Sequence, residues 1–96
     1  MYIKEYHSGS GLLVAVCDRD LLGKSFEEGA LSLNISERFY KGEEATEGDV
    51  IASLQRATIA NLVGERTIKC AIDNDFIEEA CVIFVDGVPH AQMVKL

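Results

Sequence analysis

The sequence predicts an α+β domain in which a largely antiparallel sheet of about five strands packs against a helical hairpin. Three observations favour this class: short apolar runs of strand length, an Asp-Gly dipeptide between two of them, and helical spacing of apolar residues after position 46. A chain of 96 residues can bury one hydrophobic core and not two. We therefore expect residues 1–96 to form a single globular domain.

The N-terminal segment predicts a β-hairpin, because "YIKEYH" and "LLVAVC" are joined by the glycine-containing "SGSG". The second run is apolar on both faces, which is typical of a strand in the middle of a sheet. We expect Asp18 to cap a short helical turn that stops at Gly23. The segment "DRDLLGKS" resembles part of a phosphate-binding loop, but Asp18 replaces its first glycine and would repel a phosphate.

The middle of the chain alternates between strand and turn signals. Apolar Leu31, Leu33 and Ile35 alternate with polar residues and predict a half-exposed strand. Ser36 is placed to cap a helical turn through "ERFY", whose two aromatic residues can fold back on the core. The polar run 41–49 is expected to form a surface loop.

Two helices are predicted between positions 46 and 75. Thr46 and Asp49 have the spacing of a capping box, and an apolar stripe then continues to a helix end at Gly64. A second helix follows over 65–75, with Ile68 and Ala71 on its inward face. Joined at Gly64, these helices would form a helical hairpin on the sheet.

The C-terminal segment predicts a second β-hairpin, since Asp86-Gly87 favours a two-residue type I′ turn. This turn would pair Val85 with Val88, and Phe84 with Pro89. The Pro89 nitrogen then points away from its partner strand and denies a hydrogen-bond donor to any further strand. We therefore expect the last strand to begin at an edge of the sheet.

The same register identifies a candidate site. It places His90 and Gln92 on a face that otherwise carries mainly apolar side chains, and such a face needs a cover from the chain, a partner or a ligand. The predicted binding residues are Asn61 and Gly64, from "IANLVGE", together with His90 and Gln92, from "PHAQ". A structural His90, with ring nitrogens bonded to backbone groups, is the competing interpretation.

Composition and charge exclude several classes of function. The net charge of −7 and the scattered basic residues argue against binding of duplex DNA. Neither a signal peptide nor an apolar run of about 18 residues is visible, so we expect a cytoplasmic protein without membrane contact. Cys17, Cys70 and Cys81 sit in apolar runs and are expected to be buried, metal-free thiols. We predict no cofactor, no metal site and no catalytic residue.

Three stretches, "MYIKEYHSGSGLLVAVCDRDLLGK", "RATIANLVGE" and "GVPHAQMVKL", resemble the archaeal family known as domain of unknown function 424. The resemblance extends over nearly the whole chain, and "ANLVGE" and "GVPHAQ" are its most particular parts. It implies a small cytoplasmic archaeal protein and no established activity that could be assigned to individual residues.

The sequence favours a non-enzymatic binding or adaptor module for a protein or a structured RNA assembly. The alternative is a small-ligand-binding protein or enzyme that uses His90 with Asn61 and Gln92 as orienting amides. A deep pocket joining these residues would favour the alternative, whereas a flat surface would favour the binding module. The oligomeric state and the identity of the partner are left open.

Overall fold

The structure, a computed structural model, describes residues 1–95, which form two sheets and three α-helices. The strands of the larger sheet are β1 (Tyr2–Ser8), β2 (Gly11–Cys17), β5 (Glu43–Glu44), β6 (Ile59–Val63), β7 (Ile83–Val85) and β8 (Val88–Val94). The smaller sheet contains β3 (Ser25–Glu28) and β4 (Leu31–Asn34). The helices are α1 (Glu37–Tyr40), α2 (Glu47–Arg56) and α3 (Glu65–Asp73), and 3-10 turns cover Arg19–Leu21 and Glu79–Cys81.

The larger sheet has the strand order β5-β1-β2-β6-β8-β7. Strands β2 and β6 are parallel, and every other neighbouring pair in it is antiparallel. The predicted α+β class with a largely antiparallel sheet is therefore confirmed, although this sheet has six strands rather than about five. None of the helices within residues 1–95 combines the length and the apolar character needed to cross a membrane.

The prediction of a helical hairpin was wrong. Helix α2 ends at Arg56, and the residues expected to continue it form the buried strand β6. The segment "IANLV" fits either a helix face or a strand that is covered on both sides. As a strand it buries Ala60 and Leu62 on one face of the sheet and Val63 on the other, which a single helical stripe could not do. Helices α2 and α3 share one face of the sheet but are separated in sequence by β6.

The face that carries α2 and α3 is called the helical face here, and the opposite one the second face. The helical-face core joins strand residues to helix residues: Leu12, Val14, Val16, Ala60, Leu62, Ala91, Met93, Val50, Leu54, Ile68 and Ala71. On the second face, β4, α1 and the link between them supply residues that cover only part of the sheet, at Leu33, Ile35 and Tyr40. Part of the second face is thereby left open.

Several local predictions are confirmed. Strands β1 and β2 form a hairpin with β2 inside the sheet, and the Thr46–Asp49 capping box is complete. The Ser36 side chain accepts a hydrogen bond from the Phe39 N–H at the start of α1. Two short strands, β3 and β5, were not predicted, because "SFEE" and "EE" carry no clear alternation of apolar and polar residues.

The C-terminal hairpin has the predicted register. Asp86 and Gly87 have φ angles of 51° and 79°, as a type I′ turn requires, and Phe84 pairs with Pro89. Strand β8 lies inside the sheet, but its first two residues pair with β7 alone, and its ladder with β6 starts at His90. Pro89 thus lies at the start of β8, beyond the ladder with β6, where no further strand requires the N–H that proline lacks, as predicted.

Two side chains have surroundings that differ from the prediction. Asp18 precedes the 3-10 turn Arg19–Leu21, but its carboxylate makes no capping bond there. Cys81 is exposed, whereas Cys17 and Cys70 are buried. Cys81 was expected to be buried because of its apolar neighbours, but it ends a 3-10 turn and β7 starts only at Ile83.

Candidate functional site

The uncovered part of the second face is called the open face, and it is formed by side chains from β2, β6, β7 and β8. Its members are Leu13, Ile59, Asn61, Ile83, His90, Gln92 and Val94. Ile83 is 47% exposed and Val94 is 58% exposed, which places them among the most exposed large apolar side chains of the described residues. The open face therefore offers apolar area to a binding partner.

The sheet register arranges these side chains in rows across the strands. Leu13, Ile59 and Val94 are neighbours on β2, β6 and β8, and together they form an apolar row. The next row contains Asn61 opposite Gln92. The last row places His90 between Val63 and Ile83. The register thus brings the predicted residues Asn61, His90 and Gln92 onto one surface.

Asn61 and Gln92 form an amide pair in the centre of the open face. The Gln92 Nε2 group donates a hydrogen bond of 3.0 Å to the Asn61 Oδ1 atom. This bond uses the carbonyl of one amide and one N–H of the other. The Asn61 amino group and the Gln92 carbonyl retain capacity to donate and accept hydrogen bonds to a partner.

His90 is half-buried, and its ring is held by the backbone. The Nδ1 atom lies 3.0 Å from the Leu62 carbonyl oxygen. A carbonyl oxygen can only accept a hydrogen bond, so Nδ1 carries the hydrogen and Nε2 of the neutral ring bears a lone pair. One nitrogen therefore makes the backbone bond that the structural interpretation predicts. The Nε2 atom has no such bond within residues 1–95.

Gly64 follows the last residue of β6 and differs from the other three predicted residues. Its φ angle of 107° strongly favours glycine, and its N–H donates a 2.9 Å hydrogen bond to the Pro89 carbonyl oxygen. A Cβ atom at this position would lie only 2.3 Å from Cγ of Asp18. Gly64 therefore has a definite conformational role beside the open face.

The buried Asp18 carboxylate caps helix α3. Its Oδ2 atom accepts a hydrogen bond from the Arg66 N–H at 3.0 Å, and its Oδ1 atom accepts bonds from the Thr67 N–H and Oγ1, both at 2.8 Å. An acidic side chain is favoured at a helix N-terminus, where backbone N–H groups lack partners. The segment "DRDLLGKS" resembles part of a phosphate-binding loop. Its Asp18 carboxylate thus occupies the position at the start of α3 that an external anion would take.

Within residues 1–95, five of the six strands in the larger sheet place no acidic side chain on the second face, although the chain has 16 acidic residues, and the exception is β5 with Glu44 opposite Tyr2. Residue alternation and register show that β1, β2, β6, β7 and β8 place no Asp or Glu on this face. The charged residue that these strands do place there is Lys4, whose Nζ atom donates a 2.8 Å hydrogen bond to the Arg38 carbonyl oxygen. The open face is consequently an uncharged surface on a strongly acidic protein.

The predicted residues Asn61, His90 and Gln92 lie outside the two largest grooves described for residues 1–95. Grooves of about 530 and 450 Å³ lie on other parts of the described surface, and neither is lined by Asn61, His90 or Gln92. The larger groove lies between β1 and α2, near Glu5 and Arg56. The three predicted residues instead lie on an open sheet surface.

Sequence reasoning missed the apolar row of the open face. Ile59 was expected in a helix, so its position opposite Val94 could not be anticipated. The alternation of Ile59 and Asn61 with the fully buried Ala60 and Leu62 was the available signal, but over five residues it competes with helical spacing.

The fold and the open face define a class: α+β domains built on a mixed six-stranded sheet that is only partly covered on one side. The chain belongs to the family described as "Protein of unknown function (DUF424)", whose profile matches residues 6–96. This confirms the resemblance inferred from the three sequence stretches. No functionally curated protein shows a significant match to the chain.

A solved structure described as an uncharacterized conserved protein from Methanopyrus kandleri is similar to this chain. The two have a TM-score of 0.79 and 24% sequence identity, and the similarity covers 99% of this chain and 93% of the other. At this identity the similarity establishes a shared fold.

Proposed function

We propose that this protein is a non-enzymatic binding module whose open face docks onto a partner protein. The observation that carries the proposal is the composition of that face: apolar side chains, of which Ile83 and Val94 are exposed, surround an amide pair, and β2, β6, β7 and β8 place no acidic side chain there. Interface cores are depleted in charged residues in the same way, and polar groups within them supply specific hydrogen bonds.

A structured RNA is the less favoured partner. RNA recognition on a sheet relies on cationic groups for phosphates and on free aromatic rings for base stacking. The Tyr6 ring stacks on Phe39 at a centroid distance of 5.3 Å, and its hydroxyl donates to the Phe39 carbonyl oxygen at 2.7 Å. The Tyr6 ring therefore already packs within the protein, and the exposed Phe84 ring lies on the helical face, away from the open face.

An enzymatic or small-ligand role for His90, Asn61 and Gln92 has less support from the geometry. Small-ligand sites are concave and bury most of the ligand surface. These three side chains lie in adjacent rows of an open sheet face, outside the two grooves of about 530 and 450 Å³. A flat surface is better suited to contact with another macromolecule.

Affinity capture with matched glutamine variants tests the proposal. The tagged parent protein, Gln92→Arg and Gln55→Arg are incubated with lysate of the source organism, with and without nuclease. Both glutamines are exposed, but Gln92 lies on the open face and Gln55 on α2. We expect the parent and Gln55→Arg to recover the same nuclease-resistant protein, and Gln92→Arg to lose it, because a bulky charge interrupts the uncharged surface.

Two results would contradict the proposal. Recovery that disappears after nuclease treatment would identify RNA as the bridging partner. Equal recovery by Gln92→Arg and Gln55→Arg would place the interaction on another surface. Circular dichroism of both variants verifies that each retains the parent fold.

A further inference from the structure

A second apolar surface lies on the helical face, between α3 and the β7–β8 hairpin. It is a groove of about 450 Å³ whose apolar walls are Ile68, Ile72, Val82, Phe84 and Pro89. Phe84 is 59% exposed and therefore more exposed than Ile83 or Val94. Such an aromatic side chain in an apolar groove is typical of an anchoring contact.

The groove lies where a further helix could pack on the sheet. Packed helices lie about 8–10 Å apart and neighbouring strands about 4.8 Å apart, so that one helix covers roughly two strands. Helix α2 contacts β2, and α3 contacts β6 and β8. Strand β7 is at the edge of the sheet beyond β8, and within residues 1–95 no helix covers it. The exposed side of α3 and the uncovered strand β7 together form the apolar walls against which a further helix could pack.

The charge at the rim of the groove is negative. The Lys69 Nζ atom is 2.6 Å from Oδ2 of Asp73, so these two charges compensate each other. Glu65 and Glu79 also line the groove, and neither has a cationic partner within the described part of the chain. The net charge of −7 adds to this field. A basic partner is favoured, whereas a second copy would bring the same acidic rim against itself.

We infer that this groove docks an amphipathic helix from a partner protein, with an apolar stripe against Phe84 and flanking Lys or Arg residues near Glu65 and Glu79. Helices that dock in grooves commonly combine an apolar stripe with charges complementary to the rim. The inference goes beyond the proposed function because the groove and the open face lie on opposite sides of the sheet. Together they give the module two separate docking surfaces.

A titration with two synthetic peptides tests the inference. The probes are a 14-residue amphipathic peptide of Leu and Lys and its counterpart in which every Lys is Glu. We expect the Lys peptide to shift amide resonances of α3 and the β7–β8 hairpin in a saturable manner, and the Glu peptide to cause no shift. Phe84→Ser should weaken binding by about tenfold or more, since it removes the exposed anchor.

Val94→Ser is the matched control, because Val94 is 58% exposed and lies on the same hairpin but on the opposite face. This variant should bind the Lys peptide like the parent. The Glu65→Gln, Glu79→Gln double variant should bind more weakly and with a smaller dependence on salt. Phe84→Leu keeps an apolar anchor and should retain most of the affinity, which separates loss of the anchor from loss of folding.

Comparable binding of both peptides, shifts centred on the open face, or unchanged affinity in Phe84→Ser would overturn the inference. Self-association of the free protein would also overturn the inference if Phe84→Ser abolished it, because the groove would then bind a second copy of the chain. Each of these outcomes leaves the proposed function untouched, since that proposal is tested through Gln92 on the other side of the sheet.

Discussion

Asp18 and Gly64 act as one structural unit at the scale of single residues. The carboxylate fills the space that a Cβ atom at Gly64 would need, and it bonds to the first turn of α3. The two residues come from the ends of the parallel strands β2 and β6. Their contact therefore fixes the start of α3 relative to the centre of the sheet.

Substitution of Gly64 should be costly for both steric and conformational reasons. We expect Gly64→Ala to lower the free energy of unfolding by about 3 kcal/mol or more. Gly9→Ala is the control, since Gly9 also has a positive φ angle but open space around its Cβ position, and it should cost only about 1 kcal/mol. Urea denaturation measures both differences.

A double-mutant cycle separates the steric part of the Gly64 effect. Asp18→Ala alone should lower the free energy of unfolding by about 2 kcal/mol, because it removes the α3 cap. In that background Gly64→Ala should cost less than in the parent, since the atoms it would clash with are gone. Strictly additive costs would show that the two residues do not interact as described.

The three cysteines should differ in reactivity. Burial raises the pKa of the Cys17 thiol to about 11 and also raises the pKa of Cys70, whereas Cys81 is exposed. The thiolate is the reactive form, so the native protein should show one fast-reacting thiol and two slow ones in a disulfide-reagent assay. Cys81→Ser should abolish the fast phase. A fast phase that persists in Cys81→Ser would contradict the conclusion that Cys81 is the exposed thiol.

The elements differ in how far the sequence determined them. Asp86-Gly87 requires a specific turn, and that turn alone sets the whole register of β7 and β8, so this hairpin was predictable. The five residues of β6 satisfy helical and strand spacing alike, and only the neighbouring strands β2 and β8 decide between them. Tertiary contacts therefore determined the secondary structure of β6. This strand contributes Ile59 and Asn61 to the open face, and the sequence pattern did not predict it.

Strand β1 and helix α2 are joined by a polar contact at Glu5. Its Oε2 atom accepts a hydrogen bond of 2.6 Å from the buried Ser53 hydroxyl and a further bond from Arg56. The Ser53 hydrogen bond is the main reason why the pKa of Glu5 is lower than its ordinary value, and the Arg56 bond and charge add to the effect. Ionised Glu5 therefore stabilises the folded state.

Glu5→Gln should make stability less dependent on acid pH. A lowered carboxyl pKa contributes stability above the ordinary pKa of the group, and this contribution is lost as the pH falls through the lowered value. We expect a cost of about 1 kcal/mol at pH 7, because the side chain is partly exposed, and a shrinking difference from the parent below about pH 4.5. Chemical denaturation across this range measures the difference.

Glu43→Gln is the matched control for the Glu5 experiment. Glu43 lies on the neighbouring strand β5, is exposed, and has no side-chain hydrogen bond or ion pair within residues 1–95. This variant should follow the parent at every pH. A Glu5→Gln effect that is constant from neutral to acid pH would show that loss of the charge is not its cause.

The distribution of charge over the whole molecule distinguishes the open face from the rest of the surface. The chain carries 16 acidic residues and 9 basic ones, yet the strands of the second face other than β5 place no carboxylate there. Composition alone argued against duplex DNA as a partner, and that remains a prediction. The sequence could place His90 and Gln92 on one face, but only the assembled sheet brings Asn61 beside them.

Site-specific photo-crosslinking tests most directly whether the open face contacts a protein. Purified protein carrying p-benzoylphenylalanine in place of Gln92, or of Gln55 as the control, is irradiated in nuclease-treated lysate of the source organism. The proposed function predicts a discrete protein adduct from position 92 that is missing from position 55. No adduct from position 92, or the same set of adducts from both positions, would contradict it.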